Sequence, residues 1–241
     1  MAGRAERPLD RAALVVGASR GIGRATAELL AARGHRVTAT WHTVEPEARA
    51  DDPITWRRCD TTSAADVSAV FDEAPDPFGI VVANAAIVRD RMASRMSDGD
   101  FEAVVATNLT GTFRVARAAL AAMTPARWGR LVLVSSVGAW VGAAGQANYA
   151  ASKTALLGLA RSLAREAGPR HVTVNVVAPG VIHTELIAAM SPTLQDRWTA
   201  QVPAGRMGAP AEVAAAIAYL CSEPAGFITG ALVPVDGGLV A

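Results

Sequence analysis

The stretch Ala12-Ala13-Leu14-Val15-Val16-Gly17-Ala18-Ser19-Arg20-Gly21-Ile22-Gly23 decides how this chain folds. It opens with five consecutive apolar residues, a run that suits a strand buried on both faces. Glycines follow at 17, 21 and 23 in the spacing G-x-x-x-G-x-G. A helical pattern then runs over residues 22–33, and Gly34 stops it. Strand, glycine turn and helix together form the context that a dinucleotide-binding turn requires. Without Cβ atoms, backbone N–H groups can approach a pyrophosphate closely, and the helix N-terminus adds a favourable dipole. The competing reading is an ordinary strand-to-helix turn that is rich in glycine.

The same cycle repeats along the chain. Strands are predicted at 12–16, 36–40, 55–59, 80–84, 131–135, 172–177 and 232–235. Helices are predicted at 22–33, 64–74, 100–123, from Tyr149 to about 166, and at 211–220. Strands alternating with helices build βαβ units, and hence a parallel sheet covered on both faces. There is no internal repeat, low-complexity tract or dividing linker. Residues 12–241 therefore read as a single doubly wound α/β domain of the Rossmann type, with a mainly parallel seven-stranded sheet. Residues 1–11 read as a flexible lead-in. The segment 181–209 carries Pro192, Pro203, Gly205 and Gly208 and reads as irregular. A long irregular segment within a compact domain is usually a lid or binding loop.

The 241 residues are 51% hydrophobic and 19% charged, with a formal net charge of +1, a globular composition with a large core. Near-neutral charge and the lack of a Lys/Arg-rich run argue against nucleic acid as a partner. Cys59 and Cys221 suit neither a disulfide framework nor a metal site, and fit a reducing cytoplasm. His35, His42, His171 and His183 show no ligand spacing, so no metal is expected. The N-terminus lacks the apolar core of a signal peptide, and no apolar run reaches membrane-spanning length. The expectation is a cytoplasmic protein with no membrane partner.

Tyr149 and Lys153 stand four residues apart, on one face of a predicted helix. A cation beside a phenol favours the phenolate, so the pair reads as a tyrosine prepared to pass a proton to a carbonyl oxygen. The alternative is a surface lysine beside a half-buried tyrosine, and the rest of the chain weighs against it. Hydride arriving at a ketone carbon leaves negative charge on the oxygen. Two donors aimed at that oxygen stabilise the transition state more than the ground state. Ser136, at the carboxyl end of a strand, and Tyr149, on the next helix, can converge there, because ligands in such sheets bind outside the carboxyl ends of the strands.

NAD-preferring sheets commonly end the second strand on an acid that holds the ribose hydroxyls. Here that strand ends Thr40-Trp41-His42-Thr43, and the first acid is Glu45. Arg20 lies inside the glycine turn. A cation without an opposing acid suits the extra phosphate of NADP, while a solvated loop arginine is the other reading. Asp60 reads as an acceptor for the adenine amino group or as the N-cap of the following helix.

Taken together, the glycine turn, Asn84-Ala85, Asn108, Ser135-Ser136, Tyr149-x-x-x-Lys153 and Pro179-Gly180 resemble the short-chain dehydrogenase/reductases in order and approximate spacing, over residues 14–240. Within that family the chain looks most like the 3-oxoacyl-[acyl-carrier-protein] reductases. Supporting stretches are Val174-Asn175-Val176-Val177-Ala178-Pro179-Gly180 and Val235-Asp236-Gly237-Gly238. The resemblance implies that Tyr149 is the general acid and that Lys153 holds the nicotinamide ribose and depresses the Tyr149 pKa. It implies that Ser136 positions the substrate oxygen and that Asn108 anchors a proton-relaying water. NADP(H) would be held by Gly17, Ser19, Arg20, Gly21, Ile22, Gly23, His42, Asp60, Asn84, Ala85, Pro179, Gly180 and Thr184, together with Tyr149 and Lys153. Val137, Trp140, Gln146 and Val181 would meet the substrate. Arg127 and Arg170, at the cleft rim, would meet an acidic acyl carrier protein. The family also implies a homo-oligomer, commonly a tetramer, in which the Tyr149 helix and the C-terminal strand pack against their mates.

Two departures stand out from that pattern. Asn-Asn-Ala-Gly in the family is Ala83-Asn84-Ala85-Ala86 here, and the Thr before the first glycine is Val16. These changes imply a modest loss of cofactor affinity or stability, since lost hydrogen bonds net about 0.5–1.5 kcal/mol each. The implied activity is NADPH-dependent reduction of a 3-oxoacyl thioester in fatty acid or polyketide biosynthesis. Alternatives are a reductase of a coenzyme A thioester, steroid or other small ketone, or a catalytically silent NADP-binding sensor. Ser136 lies in no G-x-S-x-G elbow, which weighs against a serine hydrolase.

Overall fold

The computed structural model describes residues 10–46, 52–188 and 191–241. Strands β1 (Ala12–Val16), β2 (Arg36–Trp41), β3 (Ile54–Arg58), β4 (Ile80–Ala83), β5 (Gly129–Val134), β6 (Val172–Pro179) and β7 (Leu232–Val235) form one sheet in the order β3-β2-β1-β4-β5-β6-β7. Every neighbouring pair is parallel. The strand order reverses direction beside β1, where Val16 pairs with Ala83 of β4. Such a switch point leaves a crevice at the carboxyl ends of the two strands.

Alternation along the strands divides the core. Leu14, Val16, Val81 and Leu131 face one layer of helices, α2 (Ala64–Asp72), α4 (Thr112–Ala126) and α6 (Ala147–Ala167). Ala13, Val15, Val82 and Val132 face the other, α1 (Gly21–Ala32) and α9 (Pro210–Leu220). The central strands are buried on both faces because each face meets its own helical layer.

The helix expected over 100–123 is three pieces. These are α3 (Asp98–Val105), a π-helical turn at Ala106–Gly111, and α4. β6 runs two residues past its expected end, because Ala178 and Pro179 pair with Pro234 and Val235 of β7. A short helix, α5 (Gly138–Val141), intervenes between β5 and α6. The segment expected to be irregular over 181–209 contains α7 (Glu185–Ala188) and α8 (Pro192–Thr199).

Residues 1–9 of the expected lead-in lie outside the described residues. Its last two are tied down. Arg36 reaches Asp10 at 2.6 Å, and Arg11 pairs with Glu223 at 3.5 Å while stacking 4.0 Å from the Trp128 ring centre. Among the described residues, no helix is long and apolar enough to cross a membrane.

Val16 and Ala83 explain how the chain absorbs its two departures. They face each other across β1 and β4 and belong to one apolar cluster. Replacing both partners of a polar link with apolar groups leaves no orphaned donor, and such double replacement can be nearly neutral. The expected loss of stability at these positions does not follow from this packing. Ala86, the other altered position of the Ala83–Ala86 motif, is exposed.

Candidate active site

The glycine turn is braced from two sides. Thr40, buried at the end of β2, accepts from the Gly17 N–H through Oγ1 at 3.2 Å and from the Ala18 N–H through its carbonyl at 2.7 Å. Asn84, just past β4, donates from Nδ2 to the Gly17 carbonyl at 2.6 Å. Gly17 has φ +75°, and a Cβ there would stand 2.6 Å from the Ala85 Cα. At Gly23 a Cβ would lie 2.6 Å from Asn84 Nδ2. Asn84 and Ala85 are thus part of the turn's own packing.

α1 opens from this turn without a side-chain cap, since Arg20 at its N-cap makes no capping bond. Its first N–H groups have no intrahelical partners. A cavity of about 520 Å³ lies at this helix end, lined by Ser19, Arg20, Gly21, Arg24, His183 and Thr184 among others. Uncapped amides, a positive dipole and cations suit a pyrophosphate. The residues present therefore fit a dinucleotide. Arg20 itself pairs with Glu185 of α7 at 3.3 Å, across an exposed contact.

At the adjoining carboxyl ends of β2 and β3, His42 Nε2 lies 3.6 Å from Asp60 Oδ2. Asp60 accepts from the Thr62 N–H and hydroxyl at 2.8 and 2.7 Å. Burial works against its ionisation, but the Thr62 bonds and nearby His42 outweigh it and hold the carboxyl below its ordinary range. The N-cap of α2 is Ser63, which accepts from the Asp66 N–H. Of the two readings of Asp60, the N-cap is excluded.

Ser136 follows β5 and Tyr149 lies in the first turn of α6. A hydrogen bond from the Ser136 side chain favours the Tyr149 phenolate, but desolvation outweighs it, and Asp90 acts in the same direction as desolvation. The Tyr149 pKa is raised. This corrects the expectation that Lys153 depresses it. The Lys153 ammonium lies 6.0 Å from the Tyr149 ring centre and donates to the Val134 carbonyl at 2.7 Å. Lys153 is 2% exposed, and burial brings its own pKa down from 10.5 to about 8.

Asn108 sits in the π-helical turn and is fully buried. Its Oδ1 accepts from the Ile87 N–H at 2.8 Å, and its Nδ2 donates to the Ile87 carbonyl at 3.0 Å and to Ser152 Oγ at 3.2 Å. Its own carbonyl accepts from the Thr112 hydroxyl at 2.8 Å. Here Asn108 clips the loop after β4 onto α6.

Two residues were not singled out from the sequence. Asn148, fully buried, donates to the Arg89 carbonyl at 3.0 Å and accepts from the Tyr149 N–H at 2.7 Å. Ser152 donates to the Tyr149 carbonyl at 2.8 Å. The legible signal was a pair of polar residues four apart on a helix face that buries Leu156 and Ala160.

The ends of β5, β6 and β7 are laced together. The Val137 N–H donates to the Pro179 carbonyl at 3.0 Å, and the Gly180 N–H to Val235 at 3.0 Å. Val137 and Val181 are buried, so they pack beneath the site and offer little open surface to an acyl chain. Trp140 and Val141 are exposed, and Gln146 donates to Asp90 Oδ2 at 2.9 Å. Arg127 and Arg170 are not at this rim. They precede β5 and β6 at the amino ends of those strands, where Arg127 approaches His171 at 3.4 Å. At about 3.3 Å per residue, β5 alone puts about 20 Å between Gly129 and Ser135. Within one protomer the cleft-rim expectation for these two arginines fails, because loops before parallel strands emerge at the opposite end from loops after them.

The family model described as enoyl-(acyl carrier protein) reductase matches residues 17–240. The chain is 44% identical to the 3-oxoacyl-[acyl-carrier-protein] reductase FabG of Escherichia coli, over 94% of this chain and 96% of that protein. It is 43% identical to FabG of Salmonella typhimurium over the same shares. It is 42% identical to the 3-oxoacyl-[acyl-carrier-protein] reductase MabA of Mycobacterium tuberculosis, over 96% of this chain and 93% of that protein.

Proposed function

Because the chain belongs to the short-chain dehydrogenase/reductase family, we propose that it is an NADPH-dependent oxidoreductase that reduces a 3-oxoacyl thioester on acyl carrier protein to the 3-hydroxyacyl thioester. The observation that carries this reading is Ser136 beside Tyr149 at the carboxyl end of β5, with a buried Lys153 one turn along. The names of the relatives favour a ketone over the carbon–carbon double bond of an enoyl substrate.

The nicotinamide cofactor, when bound, supplies the hydride. The glycine turn and the open end of α1 would hold its pyrophosphate, with Thr184 and Pro179-Gly180 along the nicotinamide side. Ser136 and Tyr149 would donate to the ketone oxygen. A phenol with a raised pKa is protonated at neutral pH, the form that a proton donor needs. Lys153 Nζ, brought down to about 8, can take up and release a proton near neutral pH. Asn108 and Asn148 hold the loop and helix that carry these groups. The segment over 181–209 would serve as a lid, with α7 joined to Arg20.

A homotetramer in the cytoplasm goes with this reading. Exposed Phe101 and Phe113 near α3 and α4, and Tyr219 and Phe227 towards the C-terminus, support association. Antiparallel pairing of α6 helices across a two-fold axis would carry Arg127 and Arg170 of one protomer towards its partner's cleft. That arrangement restores their docking role in the assembly.

The test is oxidation of NADPH with acetoacetyl thioesters on acyl carrier protein, on coenzyme A and on a short pantetheine mimic. A highest kcat/KM on the carrier-bound substrate is expected. A preference for a free ketone would overturn the carrier assignment, and tight NADPH binding without turnover on any substrate would favour the sensor.

A further inference from the structure

Arg57 and Arg58 are adjacent on the edge strand β3 and line one cavity against α2, together with Asp66 and Glu73. Arg57 is neutralised by an ion pair with Glu73 beyond α2. Arg58 is exposed and engages a neutral acceptor, donating from Nε to the His42 carbonyl at 3.4 Å. Among the described residues, no carboxylate lies within ion-pair distance of it. Asp66 feels its charge only weakly and is occupied by Ser63 and by the Asp60 N–H.

This cation stands at the place where a sheet of this type chooses its cofactor. Trp41, the last residue of β2, is in register with Arg58. The next residues, His42 and Thr43, occupy the position at which an acid would receive the ribose hydroxyls of NAD. Arg20 stands at the N-cap of α1, and its guanidinium already has a carboxylate partner in Glu185. Guanidinium groups suit a phosphate monoester because they present several donors in a plane.

We propose that Arg58 is a specificity-determining residue that selects the 2′-phosphorylated cofactor. It does so by supplying a cation at the joined ends of β2 and β3. The proposal rests on the NADPH reading above. Its Nε fixes the His42 backbone, and the charge of the group remains available to the phosphate.

Dissociation constants for NADPH and NADH, measured by calorimetry on the intact protein, test this. Arg58→Ala should weaken NADPH about tenfold or more, leave NADH within about twofold, and flatten the salt dependence of NADPH binding. An equal loss for both cofactors, with lowered thermal stability, would reduce Arg58 to a brace of the sheet edge and overturn the proposal. So would an unchanged NADPH affinity. Arg58→Lys should recover part of the NADPH affinity, since charge rather than shape is the main requirement. A wild-type protein that binds NADH as tightly as NADPH would sink the NADPH reading itself. A wild-type preference for NADPH that Arg58→Ala leaves intact would sink the Arg58 assignment alone.

Discussion

The Lys153 ammonium donates a 2.7 Å hydrogen bond to the carbonyl oxygen of Val134, the last residue of β5. That bond joins α6 to the strand that leads to Ser136. It also holds a cation that is 2% exposed and whose pKa is lowered by burial. Burial is therefore the dominant influence on this lysine, and several consequences can be measured.

The first concerns stability of the cofactor-free protein. Lys153 has a folded-state pKa near 8 against 10.5 for an ordinary lysine. Between those values the unfolded chain binds more protons, so stability rises with pH. Cys59 and Cys221 act oppositely. Burial raises their thiols to about 11 and about 12, so they oppose stability from about pH 8 upward, where thiols of the unfolded chain begin to ionise. Lys153 alone contributes a gain of about 1 kcal/mol from pH 8 to 9, and the two thiols together take back about 0.7 kcal/mol of it. The lysine is therefore read from the difference in urea stability between the wild type and Lys153→Met, which should grow by about 1 kcal/mol from pH 8 to 9. A difference that does not change with pH would contradict the buried, partly discharged lysine.

Tyr149→Phe should lower kcat by about 10²–10⁴-fold, the usual contribution of a positioned proton donor. The affinity for NADPH should be nearly unchanged. Retention of most of the turnover would remove Tyr149 from the acid role.

Glu185 pairs with Arg20, so under the NADPH proposal it would compete with the cofactor phosphate for that guanidinium. An exposed pair of this kind is worth about 0.2–1 kcal/mol. Glu185→Gln should therefore tighten NADPH binding by at most about fivefold and leave NADH unaffected. Arg20→Glu should weaken NADPH far more than NADH. Equal effects of either substitution on the two cofactors would dissociate Arg20 from the phosphate.

Arg127→Ala combined with Arg170→Ala should raise KM for carrier-bound substrate more than for a short thioester mimic. Because both arginines lie at the amino ends of the strands, the effect should need the assembled oligomer. Mixed oligomers of this double variant with Tyr149→Phe would show it. A cleft served by an intact neighbour should keep the wild-type KM. KM values that move together on both substrates would end the docking assignment.

Much of this is legible in the sequence. The strand Ala12–Val16 was legible because it is apolar throughout and a glycine turn closes it. β7 was legible as a short, mainly apolar run, and its bounds match those expected. The interrupted helix over 98–126 was not, because local periodicity does not register a single π turn. The Tyr149–Lys153 spacing was correct on the helix, but the electrostatic inference from it was not. Spacing places two groups on one face, and only burial decides which form of each is favoured.

The amino-acid order alone determined the βαβ succession, the position of the glycine turn and the family, because these rest on short-range periodicity and on backbone freedom at particular residues. Tertiary structure decided the rest. It set Val16 against Ala83, sent Arg127 and Arg170 to the far end of the sheet, spent Asn108 on Ile87, and brought Arg58 to His42. Each of these depends on which strands lie side by side and which ends of them coincide. Parallel register across the sheet fixes both, over separations that local pattern does not reach.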